Sequence, residues 1–219
     1  MTSIVISRSM TMRRASAKLR RIGLAMIYLV RHGQTEFNLE RRHHGHLDSP
    51  LTELGREQAR RAGEAVATLI DPRDGVIFSS PLGRALQTAM IVADVASIER
   101  PIIIDADLME IGMGSAEGMT QAEVERRWSA SRVALESGTM LLRSPDGEKL
   151  EALANRLGRA LCRVADHRAE SRIVVSHGVA GRVLRALYLG LNGVEALRFD
   201  APQDALFRLN GGEVFRISY

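Results

Sequence analysis

Short unbroken apolar runs alternate along this chain with longer stretches whose apolar residues recur at the period of a helix face. Residues 26–30 form the first run, Val76–Ser79 the second, Ile102–Ile104 the third, and "RIVVS", residues 172–176, the fourth. Each reads as a strand. The runs are apolar throughout rather than alternating, so the sheet they build should be covered on both faces. Helical patterns lie between them. One starts at Thr52, with Ala59, Ala62, Val66 and Leu69 at helical spacing, and one is opened by Pro81. A polar helix is expected over 121–136, a long one over 148–168 and another over 179–191. The tail reads as a hairpin around Asn210-Gly211. Repeated strand–helix units predict an α/β fold, a three-layer sandwich with a mostly parallel central sheet and helices on both faces.

In such sheets ligands gather beyond the carboxyl ends of the strands. The four strand exits carry the chemistry. The first run ends in Arg31, His32 and Gly33. The second leads to Arg84 in a helix's first turn, the third to Glu110, and the fourth to His177 and Gly178. Each residue alone has an ordinary explanation: an ion-pair partner, a satisfied histidine, a solvated carboxylate. Parallel strands would put all of them on one rim. Gly33 and Gly178 would let the backbone approach a ligand closely. The N–H groups of the helix after His177 suit an anion, and two guanidiniums match phosphate geometry. The rim reads as a phosphate pocket with an imidazole and a carboxyl.

Charge changes the picture little. The chain carries 30 basic and 26 acidic residues, a formal +4. Six of the basic residues (Arg8, Arg13, Arg14, Lys18, Arg20 and Arg21), and no acidic ones, fall in residues 1–25. From Met26 onward the balance is therefore 24 basic against 26 acidic residues, so no basic groove for nucleic acid is expected. The basic N-terminal extension reads as a transit peptide, a basic arm, or upstream sequence included by an early start codon. The third is preferred, because Met26 directly precedes the first strand. Residues 26–219 then form a single domain. No run of 18 apolar residues is present, so no membrane span is expected; the expected location is cytoplasmic. The single cysteine, Cys162, makes no intramolecular disulfide and reads as a small core hydrophobe.

The motifs "LVRHGQTEFN", "LTELGREQA", "SSPLGRALQTA", "LMEIGMGSAEG" and "VVSHG" together resemble the histidine phosphatase superfamily, in its phosphoglycerate-mutase-like branch. The resemblance runs in order from about Met26 to the last helix. It implies that His32 attacks phosphorus and becomes phosphohistidine. Arg31, Arg84 and His177 would neutralise the phosphoryl oxygens, and Asn38 would donate to them. Glu110 matches the acid that protonates the leaving alkoxide and then deprotonates water. The scheme needs no metal or cofactor. The substrate would be a small phosphorylated metabolite, and a homodimer is the assembly admitted.

The segment after Glu110, Ile111-Gly112-Met113-Gly114, is shorter than in the mutases and differs from their Glu-Arg-His-Tyr-Gly. That favours a phosphatase over the alternatives, a cofactor-dependent phosphoglycerate mutase or a phospholigand-binding protein without turnover. Three departures bear on the substrate. His44 stands where the family carries Gln in Arg-x-Gln-Gly. Ala116 replaces a usual aromatic, so a pocket wall is expected to be missing. Lys149 replaces Ser in "SPDGEKL" and reads either as a contact to a second anionic group or as an exposed helix start. The cluster His43, His44, His46 and Asp48 also admits a metal site, but a substrate-side loop is the preferred reading.

Overall fold

A computed structural model describes residues 5–6, 26–128 and 144–219. Most of the N-terminal extension and the second half of the expected 121–136 helix lie outside these residues. Seven strands form one sheet: β1 (Val5–Ile6), β2 (Met26–Arg31), β3 (Gly75–Ser79), β4 (Ile103–Ile104), β5 (Ser171–Ser176), β6 (Ala205–Asn210) and β7 (Glu213–Ser218). Their spatial order is β1-β7-β6-β2-β5-β3-β4. The ladders β2·β5, β5·β3 and β3·β4 are parallel, while β6 runs antiparallel to β2 and β7 to β6. Five of the seven strands thus point one way, as the apolar runs predicted.

Both faces of the central strands are buried. Ile27, Leu29, Val76, Phe78 and Val174 pack under α5 (Leu150–Asp166) and α6 (Gly178–Tyr188). Their alternates Tyr28, Val30, Ile77, Ile173 and Val175 pack under α2 (Glu53–Leu69) and α3 (Gly83–Val95). Consecutive side chains of a strand point to opposite faces, so a strand buried on both sides has no polar position to spare until it ends. That is why charge in these strands is confined to their ends, Arg172 at the entry of β5 and Arg31 at the exit of β2. Three short helices complete the fold: α1 (Glu36–Leu39), α4 (Gln121–Arg127) and α7 (Gly193–Ala196). No helix among the described residues is long and apolar enough to cross a membrane.

Local signals place these elements. Thr52 caps α2 by accepting from Gly55 N–H at 3.0 Å. The helix after β3 starts at Gly83, two residues beyond Pro81, with Leu82 at the N-cap. The third strand is shorter than expected, since only Ile103 and Ile104 pair with β3. The terminal hairpin turns at Gly211 and Gly212, with φ of 62° and 79°, one residue later than the sequence suggested. Two consecutive positive φ values make a type I′ turn, which two glycines accept without strain. Cys162 is half-buried against the α5–α6 side of the core.

The closest backbone approach ties the first strand exit to α2. A Cβ on Gly33 would lie 2.9 Å from Gly55 Cα and nearer still to its carbonyl. A Cβ on Gly55 would strike the carbonyl oxygen of Gln34 and lie 2.9 Å from its C and N. The absent side chain of Gly33 therefore admits α2 rather than a phosphate, and its N–H donates to Thr88 Oγ1 at 3.1 Å. A Cβ on Gly158, within α5, would meet nothing within 4 Å. Gly55→Ala should therefore lower stability by about 2 kcal/mol or more. Gly158→Ala should raise it by about 0.5–1 kcal/mol. Urea-denaturation midpoints of the two variants check both signs.

Candidate active site

Parallel register sets the rim. Arg31 pairs with Ser176 across β2·β5, and Ser79 with Val175 across β3·β5. One residue further, His32 N–H donates to Ser176 O at 2.9 Å and Ser80 N–H to Val175 O at 3.1 Å. His32 and His177 therefore leave adjacent strands side by side, with ring centroids 5.2 Å apart.

His32 is 3% exposed. Its Nδ1 lies 2.8 Å from Gly33 O. A carbonyl only accepts, so Nδ1 carries the hydrogen and Nε2 keeps a lone pair. Burial first, then the charges of Arg31 and Arg84, hold its pKa well below 6.5. His177 is held down in the same way, by burial and by its charged neighbours. Its Nε2 lies 2.8 Å from Ser80 Oγ, which also accepts Leu82 N–H. Ser80 Oγ has a hydrogen to give to Nε2, and in that tautomer His177 Nδ1 is an N–H donor.

Arg84 is 1% exposed in the first turn of α3. Its Nη2 donates to Gly45 O at 2.9 Å and its Nη1 to Leu47 O at 2.8 Å, with Asp48 Oδ1 at 3.4 Å. Arg31 donates through Nη1 to Ala201 O. Its guanidinium lies over Gly178, where a Cβ would sit 3.4 Å from Cζ, so that glycine makes room for Arg31. Burial lowers the pKa of both guanidiniums, and the Glu110 charge pulls back. Three buried nitrogens around His32 have no partner among the described residues: Arg31 Nε, Arg84 Nε and His177 Nδ1. Buried donors left unpaired are costly, and an oxyanion would pair them.

Glu110 takes the place that the sequence reserved for a bound anion. Its Oε1 accepts Ala180 N–H at 2.9 Å and Ile111 N–H at 3.0 Å, and its Oε2 accepts Val179 N–H at 3.0 Å. The N-terminus of α6 thus holds the protein's own carboxyl. Asn38 Oδ1 accepts from Thr35 N–H at 3.0 Å and Gln203 Nε2 at 3.2 Å. Holding the oxygen this way turns the amide NH₂ away from these partners.

Besides holding Arg84, the 41–48 loop brings one imidazole to the rim. His44 Nε2 lies 2.6 Å from Thr35 Oγ1, and its ring centroid is 5.9 Å from that of His32. Burial, then Arg84 and Arg31, lower its pKa to about 3. The other members of the proposed metal cluster go elsewhere: His43 to Gln121, His46 to Glu110 O and Asp48 to Arg84. The other two departures differ in burial. Ala116 is wholly buried in the core rather than on a pocket wall. Lys149 is exposed at the N-cap of α5 with no side-chain cap bond.

Sequence reasoning missed Ser80, Gln203 and Ala201. Gln203 also donates to His32 O at 3.1 Å. Ser80 lay within a quoted motif, so its place after β3 was a usable signal. Gln203 and Ala201 are brought to the rim only by the antiparallel return through β6.

A family model for the histidine phosphatase superfamily, branch 1, matches residues 27–213. "Probable phosphoglycerate mutase GpmB" of Citrobacter koseri is 41% identical over 202 residues, covering 90% of this chain and 86% of that protein. Among solved structures, Bacillus stearothermophilus YhfR superposes with a TM-score of 0.72 at 31% identity, covering 86% of this chain and 93% of its own. The alpha-ribazole phosphatase of Shigella flexneri shares the fold, with a TM-score of 0.72 at 24% identity over 84% and 89% of the two chains.

Two fully buried histidines held neutral make stability pH-dependent. Their folded pKa values lie below the unfolded 6.5. Between those values the unfolded chain binds the protons and the folded one does not. Stability is therefore complete above about pH 6.5 and falls as pH drops, by about 1 kcal/mol per pH unit for each histidine. Melting temperatures from pH 8 to 5 should show this fall, and His32→Gln should make it shallower.

Proposed function

The chain belongs to the histidine phosphatase superfamily, branch 1, and on that premise we propose that it hydrolyses small phosphate monoesters, without a metal, through a phosphohistidine at His32. One observation carries this reading. The single lone pair of a neutral imidazole is ringed by buried, unpartnered donors on Arg31, Arg84 and His177. A phosphoryl group is the ligand that needs both. Its phosphorus accepts the lone pair, and its oxygens satisfy the donors and spread charge onto them in the transition state.

The reaction then runs in two steps. His32 Nε2 forms a bond to phosphorus as the ester P–O bond breaks, and the departing alkoxide takes a proton from Glu110. Water then attacks phosphorus, gives a proton to Glu110, and the N–P bond breaks to release phosphate. Splitting one displacement into two through a covalent intermediate is nucleophilic catalysis. Arg31 and Arg84 supply the positive charge that a metal would otherwise bring. Asn38 presents its NH₂ and His44 its imidazole to the substrate side. A small phosphorylated metabolite fits the scale of this rim.

A second reading has its own support, since a relative 41% identical carries the name probable phosphoglycerate mutase. In that case the phosphoryl group on His32 would pass to a second hydroxyl rather than to water. The short Ile111–Gly114 segment favours water.

p-Nitrophenyl phosphate hydrolysis in the presence of EDTA tests the proposal. Full activity is expected, with a loss of about 1,000-fold or more in His32→Ala. Wild-type turnover by that variant would refute the assignment. Phosphoglycerate interconversion, primed by a bisphosphoglycerate and faster than hydrolysis, would move the chain to the mutase reading.

A further inference from the structure

Glu110 sits on a loop, and a loop carboxyl holds its position only if its backbone is held. The carboxyl rests on the N-terminus of α6, while the backbone carbonyl of Glu110 is met by His46 and gripped, with its neighbours, from α5. That helix presents Arg156, Arg159 and Arg163 along one face toward residues 105–110. The outer two make exposed ion pairs with Asp105 and Asp107, which are worth little in water.

Arg156 is different. Its side chain is 14% exposed. Nη1 donates to Asp107 O at 2.9 Å and Met109 O at 2.6 Å, and Nη2 donates to Glu110 O at 2.7 Å. The same fork is fixed by Glu148, with Nε to Oε1 at 2.7 Å and Nη2 to Oε2 at 2.8 Å. Glu148 Oε2 in turn accepts Gly112 N–H at 3.1 Å. One partly buried ion pair therefore grips the backbone on both sides of Glu110. Its three carbonyl contacts need a planar, multi-donor head, which only arginine offers.

We propose that Arg156, locked by Glu148, is a positioning residue that sets the Glu110 carboxyl for proton transfer. The inference rests on Glu110 being the acid of the proposed reaction. Arg156 touches no reacting atom and acts only through where Glu110 lies. A displacement of about 1 Å at such a group costs on the order of 100-fold in rate.

The role predicts a dependence on the leaving group. An alkoxide needs the Glu110 proton to depart, whereas p-nitrophenolate leaves as a stable anion. kcat/KM reports events up to ester cleavage, so it isolates this step. Arg156→Met should lower kcat/KM for β-glycerol phosphate by about 100-fold and leave that for p-nitrophenyl phosphate little changed. Glu148→Gln should show the same pattern more weakly, and Arg156→Lys should fall between, as one ammonium cannot span the three carbonyls. Glu110→Gln combined with Arg156→Met should be no worse than Glu110→Gln alone, since both remove one function. Equal losses on the two esters, or additive losses in the double variant, would overturn the inference. If Arg156→Met fails to fold, Glu148→Gln decides by the same ratio. If Glu110→Gln itself shows no leaving-group preference, the acid role fails first and the positioning role falls with it.

Discussion

His32 Nδ1 lies 2.8 Å from the carbonyl of its own neighbour, Gly33, and the rest of the site depends on that contact. A buried imidazole beside two guanidiniums resists protonation, so its lone pair survives at neutral pH. Which nitrogen carries that lone pair is still a two-fold choice. The Gly33 carbonyl makes the choice, from where the chain runs after β2. That path lies against α2, where Gly33 and Gly55 let two backbones meet. The glycine that seemed to serve a ligand thus serves the nucleophile indirectly, by allowing the backbone path that presents the carbonyl.

The same logic extends around the rim. Ser80 gives His177 a donor on the inner side, Thr35 and Gln203 hold the Asn38 oxygen, and loop carbonyls occupy the outer Arg84 nitrogens. Each inner group has its direction set by an outer partner, so little reorganisation is left when charge develops. Gly45 adopts φ 52° where a Cβ would strike the Glu117 carboxylate, and Glu117 accepts the N–H groups of His46, Leu47 and Met113. That carboxylate thereby holds the loop whose carbonyls hold Arg84.

Much of this was legible in the sequence. Continuous apolar runs can be satisfied only by a sheet covered on both faces, and a parallel register then forces the strand exits onto one rim. Arg31, His32, Arg84, Glu110 and His177 followed from that geometry alone. The helix N-terminus after His177 was read as part of the phosphate pocket, but its occupant is the protein's own Glu110. A sequence shows which groups attract each other, not which pair closes first. Arg156 and Gln203 were invisible because their importance lies in backbone atoms they reach across tens of residues, and backbone atoms carry no sequence signature. Lys149 and Ala116 stood out as substitutions, yet one is an exposed helix start and the other a core residue. The short helices α1 and α7 were missed because four residues are too few to show a periodicity.

The most direct test is to trap the covalent intermediate and locate the phosphorus. Glu110→Gln should still accept the phosphoryl group from p-nitrophenyl phosphate but should hydrolyse it slowly, because water loses its base. ³¹P NMR of the alkali-quenched variant, with the labelled peptide identified by mass spectrometry, should show one phosphoramidate on Nε2 of His32. Phosphorus on Nδ1, on His177, or on no histidine while turnover continues would contradict the account.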